Sequence, residues 1–180
     1  MAPSQEFRAA LAQAERGDIQ AQAFVSSCYY HGEEGVTRDL ALAFKYFRMA
    51  AEGRHTVSQT NLASLYSTGE GVERDQRMAS AWYLRAAKEG GHAEAQYQTA
   101  VRYEHGDGYD APNIKEAIKW YQAAVGQGHA DAQIDLGLCY DKGDGVKKNP
   151  GLALKLWRKC SITSLATRKA TNTPSLSRNA

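Results

Sequence analysis

Glutamine, tyrosine and glycine each return at a fixed interval of 37 residues: Gln22, Gln59, Gln96 and Gln133; Tyr29, Tyr66, Tyr103 and Tyr140; Gly32, Gly69, Gly106 and Gly143. A period of this size makes a chain from stacked copies of one small unit, so every local motif has to be read as one copy of four. A second column, Tyr46, Trp82, Trp120 and Trp157, drifts by a residue, which small loop insertions explain. Repeated aromatics of this kind read as packing residues.

Each unit reads as two helices. In the second copy they run from about His55 to Ser67 and from about Gln76 to Glu89, too long for strands. Gly69 and its equivalents follow the first helix, where a left-handed residue is wanted and glycine adopts it without steric cost. Asp39, Asp75, Asn113 and Asn149 open the second helices as N-caps, and Pro150 follows at the first helical position, where its missing N–H costs nothing.

The loops between, such as LYSTGEGVERD at 65–75, invite sharper readings. A phosphate loop needs a preceding strand and a Lys-Ser/Thr pair, which no copy has. An EF-hand places an oxygen ligand at its first position, where these loops would put Tyr103 or Tyr140. His55, His92 and His129 are also 37 apart, but packed helices lie about 8–10 Å from one another and metal ligands about 2 Å from a shared ion. Those histidines are expected to make hydrogen bonds in the first turn instead. No metal and no cofactor is expected.

Three cysteines without paired spacing read as reduced thiols, and Cys28 and Cys139, three repeats apart, are too distant to pair. No G-x-S-x-G elbow, H-E-x-x-H helix or S-x-x-K motif is present, so no catalytic residue is assigned and the chain is not read as an enzyme. Formal net charge is +2, and Arg168, Lys169 and Arg178 sit in the last sixteen residues, leaving a nearly neutral body that offers nucleic acid little. Glu6 and Arg8 interrupt any apolar leader and no run is long enough to span a bilayer, from which a cytoplasmic location without membrane insertion is expected.

The pattern Ala132, Gln133, Tyr140, Gly143, Gly145, Val146 and Asn149, with Ala79, Trp82, Tyr83, Ala86, Ala87 and Gly90 on the second helix, resembles the Sel-1-like repeat family, relatives of the tetratricopeptide repeat. The resemblance implies an all-α fold, a right-handed α-solenoid of antiparallel helix pairs, and an adaptor that brings other proteins together. Some bacterial members are described as β-lactamases, but those resemble secreted proteins with paired cysteines in each repeat, which this chain lacks. An RNA-reading helical repeat is the other alternative, and the neutral body argues against it. Residues 1–13 are expected to form an N-terminal cap, 14–162 the solenoid (repeats at about 14–50, 51–87, 88–125 and 126–162), and 163–180, rich in Ser, Thr and Asn, a disordered tail.

Columns that stay fixed between copies report what the stack needs; columns that vary are free for other uses. The varying columns of the first helices are Gln20, Val57, Glu94, Asp131; Phe24, Asn61, Gln98, Asp135; and Cys28, Leu65, Arg102, Cys139, spaced i, i+4, i+8. By resemblance the first helices line a concave groove, so Gln20, Phe24, Val57, Asn61, Glu94, Gln98, Arg102, Asp131 and Asp135 are the expected contacts for a peptide or partner protein. Copy four loses its Ala-Ala ending to Ser161-Ile162, which leaves a helix face uncapped. Either the chain is a shortened version of a longer repeat protein or that end meets something else, such as a second copy.

Overall fold

The structure is a computed structural model that describes residues 2–171. Its helices are α1 Gln5–Glu15, α2 Ile19–His31, α3 Leu40–Glu52, α4 Thr56–Thr68, α5 Gln76–Glu89, α6 Ala93–His105, α7 Ile114–Gly126, α8 Ala130–Lys142 and α9 Pro150–Thr171. No strand occurs among the described residues. Each helix packs mainly against its neighbours in the chain, so α2–α3, α4–α5, α6–α7 and α8–α9 form four hairpins in a solenoid.

The caps fall where the residue types ask for them. Asp39, Asp75, Asn113 and Asn149 each accept a hydrogen bond from the backbone N–H three residues on, at 2.9, 3.0, 3.2 and 3.0 Å. Gly32, Gly69, Gly106 and Gly143 are left-handed, with φ of 74°, 82°, 79° and 88°. His55 and His129 cap α4 and α8 by accepting at Nδ1 from Ser58 and Ala132, whereas His92 makes no such bond.

The three strictly fixed columns acquire separate jobs. The tyrosine carbonyls close the hairpin loops, accepting from the N-cap residue that follows: Asp39 to Tyr29, Asp75 to Tyr66, Asn113 to Tyr103 and Asn149 to Tyr140, at 2.6–2.9 Å. The glutamines are buried, and Gln22 and Gln59 donate to the carbonyls of Ala14 and Ala51 at the ends of α1 and α3. Those carbonyls lie in last turns, which have no partner of their own within the helix. The second loop glycine docks on the preceding hairpin: a Cβ on Gly71 would collide with the carbonyl of Leu40, and one on Gly108 with that of Gln76.

Helix α1 occupies the place of a preceding second helix. Ala14 stands in for Ala51, and Gly35 presses on Ala2 as Gly71 presses on Leu40. Its ends differ from the sequence expectation, with α1 reaching Glu15 rather than stopping at 13. Helix α9 continues to Thr171, past residue 162, because SITSLATRKAT contains neither proline nor glycine to end it. The rest of the anticipated tail, 172–180, lies outside the described residues.

The apolar core runs through the stack in segments. Phe7, Val25 and Tyr46 join α1 to the first hairpin. Phe47, Leu62 and Leu65 join hairpins one and two. Tyr121, Leu136 and Leu156 join hairpins three and four. Between hairpins two and three the segment is only Ala86, Ala87 and Ala95, with Trp120 against them.

Candidate interaction surface on the first helices

Helices α2, α4, α6 and α8 lie in a row. An α-helix turns by about 100° per residue, so i+7 returns to within about 20° of i while i+8 is displaced by about 80°. That difference separates the three expected columns. Gln20, Val57 and Asp131 are exposed, and Glu94, Phe24, Asn61, Gln98 and Asp135 are half-buried. The i+8 column is covered: Cys28, Leu65, Arg102 and Cys139 are all buried.

Arg102 is therefore not a groove residue, contrary to the sequence reading. Its side chain is 5% exposed and lies between hairpins two and three. Nη1 donates to Gln76 Oε1 (2.9 Å) and Ser80 Oγ (3.2 Å), Nη2 donates to Ser67 Oγ (2.6 Å), and the guanidinium sits 4.9 Å from the Tyr83 ring centroid. Burial lowers its pKa from the ordinary arginine value, which the Tyr83 and Asp107 side chains partly oppose. The columns that continue the exposed stripe are Ser27, Ser64, Val101, Leu138 and His31, Thr68, His105, Lys142. The 3.6-residue period contains the signal that finds them.

The two halves of this row differ chemically. Between α2 and α4 a cleft of about 200 Å3 is lined by Ser27, Tyr30, His31, Phe47, Asn61, Ser64 and Leu65. Tyr30 is anchored by donating its hydroxyl to Glu70 of the next loop (3.0 Å). Gln20 and Val57 border an open depression between the starts of α2 and α4. Phe24 and Gln20 line another against Glu6, Ala10 and Gln13 of α1, so the phenyl ring leans on α1 rather than standing free.

In the second half, side chains tie α6 to α8. Tyr97 stacks on His129 (4.6 Å between centroids) and donates to Asp135 Oδ2 at 3.1 Å. Since His129 Nδ1 accepts from Ala132, the ring proton is on Nε2 and points at Glu94 Oε2, 3.0 Å away. Burial works against ionisation of Glu94, but hydrogen bonds from His129 and Gln98 outweigh it and hold the carboxyl below the usual range. Burial pushes Asp135 up, with Tyr97 opposing and the Glu104 and Asp131 charges adding to it. Acids on this half would repel a phosphate backbone.

Burial, aided by the Glu34 and Glu33 charges at Cys28 and by Glu104 at Cys139, pushes both thiols up to about 11, which leaves neither as a nucleophile at neutral pH. Among the described residues no group of His, Cys, Asp and Glu could hold a metal ion. No helix among them is long and apolar enough to cross a membrane.

Capped helix hairpins, stacked in register through loop glycines and presenting one row of variable side chains, define a helical-repeat solenoid. The Sel1 repeat model matches residues 19–55, 56–91, 93–129 and 130–159, and the chain belongs to that family. These units begin at each first helix, about five residues later than the boundaries drawn from sequence alone, which cut the second helices before their ends. No curated protein matches the chain.

Among solved structures the chain is similar to a protective antigen present in uropathogenic Escherichia coli strains displaying an SLR fold, at 33% identity and TM-score 0.82 over 87% of this chain and 33% of that one. It is also similar to a Sel1 repeat protein from Oxalobacter formigenes, at 30% identity and TM-score 0.78 over 87% of this chain and 63% of that one. The chain thus spans a third and somewhat under two thirds of their lengths. Sel1 repeats typically serve as scaffolds for protein–protein interaction.

Proposed function

We propose that this protein is a non-enzymatic scaffold that holds a peptide or partner segment along the row of first helices. The observation that carries the reading is the cleft between α2 and α4, where Tyr30 and Phe47 supply apolar wall and Asn61 and Ser64 supply polar rim. A small concavity with an aromatic wall and a few polar groups is the geometry in which a single anchor side chain contributes most to binding. Residues that vary from copy to copy extend from it: Gln20 and Val57 towards the helix starts, then Glu94, Gln98, Asp131 and Asp135 along the row. These are the proposed contacts, with Phe24 in a supporting position against α1 and Arg102 removed from the set.

Panning a random peptide library on the purified chain tests this. Enriched peptides should bind Asn61→Arg at least roughly tenfold more weakly, as loss of a central anchor predicts, while Lys88→Glu on the second-helix side leaves them unaffected. Helicity by circular dichroism should be the same in all three proteins. Peptides indifferent to Asn61→Arg, or sensitive to Lys88→Glu instead, would place binding elsewhere.

A further inference from the structure

We propose that the open end formed by α8 and α9 is a two-fold face that binds a second copy of this chain. The repeat register shows which positions a following hairpin covers. Tyr97 is covered by His129 and Asp135, Ile118 lies under the loop of Gly145, and Ile118 and Tyr121 are 5% and 0% exposed. Counting 37 residues from Tyr97 gives Ile134, and counting from the N-caps Asn113 and Asn149 makes Leu154 the equivalent of Ile118. Ile134 is 40% exposed and Leu154 52%, with Leu138, one turn beyond Ile134, at 41%. At Ile134 and Leu154 the last hairpin thus keeps apolar side chains where the preceding hairpin is covered, and Leu138, from the exposed stripe of the first helices, adjoins them.

A repeat that ends in water carries a polar outer face. The opposite end of the stack does so: Gln5, Glu6, Arg8, Gln13 and Glu15 of α1 are exposed. Head-to-tail stacking would set Ile134 and Leu154 against that charged surface, which disfavours an open-ended fibre. The α8–α9 end is instead complementary to itself. Apart from Asp135, which is turned to Tyr97 of α6, helix α8 carries Asp131 and Asp141 with one base, Lys142, whereas α9 carries Lys155, Arg158 and Lys159 and no acid over residues 150–160. A two-fold axis that lays α8 of one copy on α9 of the other buries the leucines and the isoleucine centrally and sets acids against bases twice, as an isologous interface requires.

Sedimentation velocity over a concentration series of the whole chain reads this out. The expected result is a monomer–dimer equilibrium that stops at two copies. Leu154→Asp should weaken it by roughly tenfold or more without changing helicity, since Leu154 is exposed within the single chain. Asp131→Lys or Lys155→Glu alone should weaken it, and the double variant should recover it, because the swapped charges again face each other. A monomer at every concentration overturns the proposal and assigns the face to further repeats or another protein. Growth beyond two copies, indifference to Leu154→Asp, or no recovery in the double variant overturns it as well.

Discussion

The junction between hairpins one and two and the junction between hairpins two and three solve one packing problem with opposite chemistry. Leu65 and Arg102 are the same position, 37 residues apart, and both are buried. Around Arg102 stand Ser67, Gln76, Ser80 and Tyr83. The equivalent positions around Leu65 are Tyr30, Leu40, Phe44 and Phe47, of which Tyr30, Phe44 and Phe47 pack in its cluster. At the next junction, around Cys139, they are Glu104, Ile114, Ile118 and Tyr121, with Glu104 accepting from Tyr121. The central residue and its surroundings change together, because a guanidinium needs acceptors that an apolar pocket does not offer. The backbone therefore specifies where a junction residue goes, and the neighbouring side chains specify what it can be.

The harshest way to break the comparison is Leu65→Arg. It puts a charge among Phe47, Phe44 and Tyr30 without the acceptors that surround Arg102, and should cost about 4 kcal/mol or more, seen as unfolding or a collapsed urea midpoint. Leu65→Ala leaves a cavity instead and should cost about 2–4 kcal/mol in the same titration.

Arg102→Leu should cost much less, about 1 kcal/mol or below, for a physical reason visible at the site. Ser80 already donates to the Asp107 carbonyl (2.6 Å) and Gln76 to the Ser67 carbonyl (2.9 Å), so removing the arginine orphans no donor there. Its Nε has no partner as it stands, which is one desolvation cost the variant escapes. Arg102→Leu proving as damaging as Leu65→Arg would mean that the polar junction depends on the guanidinium itself.

The third junction sharpens the contrast through pH. The second junction buries a guanidinium, whereas at the third two carboxyls are shifted in opposite directions, Glu94 down and Asp135 up. Glu94 is held below its usual range, so the stability it contributes is present above that range and is lost as pH falls through it. Asp135 is held above its usual range, so its ionisation costs the fold at neutral pH and acidification relieves that cost. Glu94→Gln should lower stability at pH 7 and Asp135→Asn should raise it, each by about 1 kcal/mol or less because both carboxyls keep solvent contact. Thermal melts at neutral and acid pH should show both differences shrinking on acidification.

The smallest effect concerns the histidine caps. Burial lowers the pKa of His55, whose Nδ1 must stay unprotonated to accept from Ser58. The neutral form is favoured in the fold, so stability is lost as pH falls below the ordinary histidine value. His55→Asp, a cap that stays competent there, should remove this loss of about 1 kcal/mol or less between pH 7 and 5.5.

The repeat, the helix pairs, the N-caps and the left-handed glycines were legible in the residues because each depends on neighbours within a few positions in the chain. The fixed spacing of 37 then supplied the family resemblance. Contacts between copies were legible only in part. Gln59 shows why: its recurrence marked it as structural, but the carbonyl of Ala51 that it serves belongs to another hairpin. Arg102 varies between copies as a free residue would, yet a step of eight residues crosses onto the buried flank of a helix; Phe24 stays half-buried on the row, with α1 against it.

The sequence by itself determined the four capped hairpins and the family, since local hydrogen bonds and periodic spacing are written in the order of the residues. The tertiary structure alone decided which variable columns are covered, what surrounds Arg102, and that Ile134, Leu138 and Leu154 remain uncovered at the α8–α9 end. Exposure is a property of what packs alongside a helix, and those neighbours come from other hairpins.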